Sequence, residues 1–309
     1  MKKRIDFVFS VAFMLALGCT LSIPVVAGYR SGEAVQQFKN LEAQTCIKPQ
    51  SSPALTISLS EADMRDLHLA NSYMNYLRGQ GQNPGVVKSL YRASIKTGVN
   101  FELLLLKASM ESDMGRFDAA EHSTARGVFQ YIEPTWLILM NRYGGQIGYP
   151  GYARAIRISR REGFPYFKEE DKPLRDEILA LRHDDNTAAL IKAYQIIEET
   201  NVIAEYKRGK EVTATDHYIA HMLGLKLAKG FYALKNRNMR KPVAYLKNPQ
   251  IREAVMLNKR FFYKDNRPLS AAQSYVQFEK SVQRELVKIE NVARYNGNPA
   301  CTYAQASIE

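Results

Sequence analysis

The stretch Asn100-Phe101-Glu102-Leu103-Leu104-Leu105-Leu106-Lys107-Ala108-Ser109-Met110-Glu111-Ser112 decides how the chain is read. Asn100 suits a helix N-cap, because its side-chain oxygen can accept from a backbone N–H that the first turn leaves without a partner. The run after it is apolar and free of breakers, so a helix is expected. Phe101, Leu104, Leu105 and Ala108 recur at i, i+3, i+4 and i+7, and Glu111 falls on the same stripe. Desolvation disfavours a charged carboxylate, so this placement predicts a Glu111 carboxyl raised toward neutrality and able to hold a proton. Such a group suits general acid catalysis. Position alone fits a second reading equally, a glutamate fraying at a helix C-terminus.

Downstream stand Gly127-Val128-Phe129-Gln130 and Pro134-Thr135-Trp136. With Glu111-Ser112 they form three ordered motifs, and from Lys107 to Leu137 the chain resembles the soluble lytic transglycosylases. Gln130 follows Glu111 by 19 residues, close to that family's spacing. Tyr218-Ile219-Ala220-His221-Met222-Leu223-Gly224 looks like a segment some branches carry where others have Ala-Tyr-Asn. The chain departs from the family pattern in lacking a certain counterpart of the tyrosine that supports the glutamate, and in placing Arg126 where a small residue is usual. The resemblance implies an all-α fold, a lysozyme-like helical catalytic domain with additional N- and C-terminal helices. It implies cleavage of the β-1,4 bond between N-acetylmuramic acid and N-acetylglucosamine, with Glu111 as catalytic acid and then base. The C6 hydroxyl of the same sugar closes a 1,6-anhydro ring, an intramolecular step that needs neither a second carboxylate nor a cofactor. Ser112, Gln130, Tyr131, Tyr218 and His221 are the expected substrate-binding residues.

Each candidate has a plainer reading. Gln130 offers amide donors and an acceptor to a sugar, or simply packs a turn. Gly127 lets backbone approach the sugar, or punctuates the turn. Trp136 shares an apolar stripe with Leu137 and Met140 and is expected in the core. His221 lies on a face with Tyr218 and Leu225, which fits a satisfied buried histidine as well as a binding one. Tyr143, Tyr149 and Tyr152 are candidate sugar platforms in a stretch that also reads as a surface loop. A second carboxylate, as paired glycosidases require, would come from Asp113, Asp118 or Glu121. Goose-type lysozyme hydrolysis would use Asp118 or Glu121 to hold water, and a wall-binding scaffold without turnover is the rival from another class. The five histidines and three cysteines show no ligand-like clustering, so no metal site is expected.

Lys2, Lys3 and Arg4 precede an apolar stretch from Phe7 to Leu17, and Val25-Val26-Ala27 forms a small-residue cleavage site before Gly28. An exported, periplasmic or envelope-associated protein is expected. Membrane association through an uncleaved segment, and lipidation at Cys19, stay open as alternatives. Cys46 and Cys301 would then be an even pair in an oxidising compartment, joined in one disulfide or left as two thiols. The formal charge of +12 favours an anionic partner. Peptidoglycan stem peptides and cell-envelope polymers qualify, envelope assembly partners stay open, and nothing resembles a nucleic-acid motif. The expected organisation is a signal peptide over 1–27, a linker and helix over 28–84, the catalytic domain over 85–235, and a helical extension over 236–309. Ser60, Asp184, Thr213 and Ser270 are predicted to start helices, and Gly79 to end one.

Overall fold

Side-chain caps set six of the twelve α-helix starts in the computed structural model, which describes residues 60–117 and 123–294. The leader, the Cys46 and Cys301 pair, Asp118 and Glu121 lie outside the described residues. Ser60 accepts from the Asp63 N–H and opens α1 (Glu61–Gly79). Helix α2 (Gly85–Thr97) follows, ending at Gly98 in the left-handed conformation. The Asn100 side chain accepts from the Leu103 N–H at 2.9 Å and starts α3 (Phe101–Ser112), as the opening stretch requires. Next come α4 (Glu133–Tyr143), α5 (Pro150–Ala155) and α6 (Leu174–Ala180). The long α7 (Asp185–Lys207) begins at Asp184, whose side chain accepts from the Asn186 and Thr187 N–H groups. Thr213 and Ser270 each form a reciprocal capping box, at the heads of α8 (Ala214–Leu223) and α12 (Ala271–Ala293). Between them lie α9 (Leu225–Asn238), α10 (Pro249–Leu257) and the short α11 (Lys259–Phe262). Among the described residues extended pairing amounts to two antiparallel ribbons with two-residue strands, β1 (Arg157–Ile158) with β2 (Pro165–Tyr166) and β3 (Tyr263–Lys264) with β4 (Arg267–Pro268), and two isolated bridges, Arg126 with Tyr131 and Pro242 with Ser270. The fold class is all-α. No described helix is long and apolar enough to cross a membrane.

The α3 stripe is buried as its spacing predicts: Phe101, Leu104, Leu105 and Ala108 are all fully inaccessible. Each such leucine stabilises the fold by roughly 1.5–3 kcal/mol relative to an exposed one. The main partner of α7 is α2, and α7 also packs on α3, α4, α8 and α9. The C-terminal α12 packs on α1, α3, α8, α9 and α11, so this part of the expected extension belongs to the same core as the helix bearing Glu111. An aromatic cluster makes that joint. Phe278 of α12 stacks on Phe261 at 4.0 Å between centroids and meets Tyr218, Phe231 and Phe262 edge-on. Asp216, fully buried, accepts from Lys207, Tyr232 and Tyr275 as well as Thr213, which ties the end of α7 to α8, α9 and α12.

Trp136 is a core residue, fully buried with its indole N–H donating to the Ile178 carbonyl at 2.7 Å. Gly127 adopts φ +75°, and a Cβ there would stand 1.9 Å from the Arg182 carbonyl oxygen. The close approach its sequence suggested is thus to the protein's own backbone. Gly115 also has positive φ, at +86°, but open space around it. Gly127→Ala should therefore cost clearly more stability than Gly115→Ala. The latter meets only the left-handed backbone penalty of about 1–2 kcal/mol. Urea denaturation of the two variants checks that order.

Candidate functional site

A cleft of about 1020 Å³ is lined by Glu111, Gln130, Tyr131, Tyr218 and His221 together, five of the six residues singled out in the sequence. The sixth, Ser112, is fully buried and does not line it. Its hydroxyl donates to the Val128 carbonyl at 2.7 Å and accepts from the Gly115 N–H at 2.7 Å. Ser112 therefore fastens the end of α3, and with it Glu111, to the turn that carries Gln130.

That turn is a tight loop. Arg126 and Tyr131 exchange backbone hydrogen bonds at 3.2 and 3.1 Å, and Gln130 sits at φ +46°, a left-handed conformation rare outside glycine. The Gln130 amide N–H₂ donates back to the Gly127 carbonyl at 2.8 Å. The side chain thus packs its own turn while lining the cleft, and both readings of it hold. Tyr131 is buried, and its hydroxyl donates to Gln195 at 2.8 Å. Gln195 donates on to Glu199, whose other oxygen lies 3.2 Å from His217 Nδ1. Lys107 Nζ donates to the His217 carbonyl at 2.8 Å. A chain of buried polar groups therefore runs beneath the cleft from Tyr131 to α3.

Glu111 is 7% exposed. His221 Nε2 lies 2.9 Å from its Oε1, within ion-pairing distance, yet Oε1 has no partner that meets hydrogen-bond geometry among the described residues. Burial pushes the Glu111 carboxyl up, but the His221 ring, then Lys192 and Lys107, outweigh it and hold the group below the usual carboxylate range. The expected upward shift is therefore corrected. The apolar stripe describes only the face of α3, while Lys192 and His221, which help set the sign, arrive from α7 and α8, and Lys107 from one turn back. Burial pulls the Lys192 ammonium down to about 8, opposed by Glu111. Its Nζ stands 4.6 Å from the centroid of the Tyr131 ring and 4.9 Å from that of Phe129. Burial likewise pushes Glu199 up, and Lys107, His217 and Lys192 bring it down to about 2.

Tyr218 is buried with its ring stacked near His221 at 16°, and its hydroxyl accepts from Arg260 at 3.2 Å. Tyr143, Tyr149 and Tyr152 do not line the cleft. Tyr149 stacks on Tyr152 and Tyr143 on Tyr194, so these rings serve packing around α4 and α5. An exposed ring that sequence reasoning passed over, Phe117, does line it, with the Arg116 guanidinium 5.1 Å away. Asp113 is half exposed and pairs with Arg116. Glu285 of α12 also lines the cleft, accepting from Ser109 and paired with Lys288. Lys192, Arg260 and Glu285 carry no motif of their own, and only the packing of α7, α11 and α12 brings them here. No family model matches the chain.

The buried charges make two stability predictions. Lys107→Met removes the charge that lowers Glu199 most and should destabilise the fold by about 3–5 kcal/mol, whereas Lys288→Gln at the surface should change it by less than about 1 kcal/mol. Glu199 has a depressed folded value, so its contribution is present above the unfolded value near 4.3 and is lost as pH falls from there to about 2. Glu199→Gln should be less stable at pH 7 yet lose less stability across that window, measured by denaturant melts at each pH.

Proposed function

We propose that the chain is an exported peptidoglycan lytic transglycosylase with a lysozyme-like helical arrangement. The observation that carries this reading is a single buried carboxylate, Glu111, lining a large cleft beside His221, Gln130, Tyr131 and Tyr218. The motif resemblance supplies the substrate class, glycan strands of the bacterial wall, and the leader-like start supplies the compartment.

Glu111 protonates the glycosidic oxygen and then takes the proton of the C6 hydroxyl as the 1,6-anhydro ring closes. The attacking group is already part of the substrate, so the step gains the advantage of intramolecular geometry and no second carboxylate has to hold water. The two other carboxylates lining the described cleft are engaged elsewhere, Asp113 with Arg116 and Glu285 with Ser109 and Lys288. The lowered Glu111 carboxyl favours the ionised form in the free cleft, so the acid step requires it to take up a proton from solvent as the strand enters. A strand filling the cleft excludes water, which strengthens the desolvation that favours the protonated form.

Mass spectrometry of peptidoglycan digested by the mature protein tests the reading. Anhydro-muropeptides are expected, and Glu111→Gln should lower their formation by about 10²- to 10⁴-fold. Reducing ends would instead mean lysozyme-type hydrolysis. Sedimentation with the wall but no soluble product would mean a binding scaffold.

A further inference from the structure

The lining of the cleft is chemically uneven. From Phe129 through Ile132 to Thr135 it carries aromatic, amide, apolar and hydroxyl groups and no charge. From α11 and α12 it carries Lys259, Arg260, Arg284 and Lys288. Lys288 is answered by Glu285 at 2.6 Å. The other three have no acidic partner among the described residues: Arg260 donates to the Tyr218 hydroxyl, Arg284 to the Ser281 hydroxyl in its own helix, and Lys259 to none. All three are exposed. Three cations without acidic partners, contributed by two elements to one cleft, form a local positive potential beside the carboxylate that would do the chemistry.

A sugar chain needs no such potential, because hydroxyls and N-acetyl groups are neutral. Carboxylates do, and a guanidinium presents a planar fork that matches one. We propose that the α11 and α12 side of the cleft is a carboxylate subsite, and that it takes the acidic peptides borne by the glycan strand while the Phe129 to Thr135 side takes the sugars. This deepens the proposed function and rests on it. It makes the described C-terminal helix a substrate-recognition element and gives the site a preference for peptide-bearing over bare glycan.

The test is a binding measurement in the Glu111→Gln background, so that strands stay intact. Soluble glycan strands with their peptides, the same strands stripped by an amidase and converted to neutral amides at the lactyl carboxylates this exposes, and a phosphodiester polymer are titrated against it. Peptide-bearing strands should bind about tenfold more tightly than stripped ones, and the difference should shrink as salt is raised. Adding Lys259→Gln and Arg284→Gln, both at exposed positions, should abolish the difference and leave the affinity for stripped strands unchanged. Equal affinity for the two strands, or a preference that survives the double substitution, would overturn the subsite and leave the lytic reading intact. Equally tight binding of the phosphodiester polymer would also overturn it, as general attraction for polyanions. Binding to neither strand would overturn the lytic reading together with the subsite.

Discussion

Two lysines and two glutamates buried between α3 and α7 constrain everything built around the cleft. Lys107 and Glu111 lie one turn apart on α3, and Lys192 and Glu199 lie two turns apart on α7, all of them at most 7% exposed. Helix α8 adds His217 and His221, also one turn apart, and each meets one of the glutamates. A buried charge without its partner costs several kcal/mol, so no one of these helices can sit elsewhere without stranding a charge. The set holds three helices in one register. It also makes the electrostatics of Glu111 a property of the whole arrangement.

The rest of the site follows from how that register is extended to the Gly127 to Gln130 turn. Ser112 ends α3 and reaches the Val128 carbonyl, so the residue after Glu111 carries the position of the helix into the turn. Gly127 allows the turn to lie against the Arg182 carbonyl, and Gln130 is held in a left-handed conformation by hydrogen bonds at its backbone and side chain. Spacing along the chain is thereby converted into a fixed distance across the cleft. The same coupling accounts for Ser112 being buried and Gln130 being half-buried. One carries the geometry, and the other presents it.

Local signals were legible in the sequence because they act locally. Asn100, Asp184, Thr213 and Ser270 each cap a helix with bonds that span two or three residues, and the α3 stripe is buried where its period puts it. Trp136 was legible as core for the same reason. The sign of the shift at Glu111 was not, because it depends on Lys192 and His221, 81 and 110 positions away. Glu285 meets Ser109 across 176 positions, so the share of α12 in the cleft had no trace in any short window. Composition shows that the rings of Tyr149 and Tyr152 are present, and not that they stack on each other away from the described cleft.

Glu111 is a buried carboxylate whose neighbours outweigh burial and hold it below the usual carboxylate range. Titrating the Glu111 side-chain carboxyl by ¹³C nuclear magnetic resonance in the free protein tests this most directly. A midpoint below the ordinary glutamate value of about 4.3 is expected, rising when Lys192 is replaced by Met. A midpoint above that value in the unsubstituted protein would contradict it and return Glu111 to the desolvated, proton-holding acid that its helix face alone suggests.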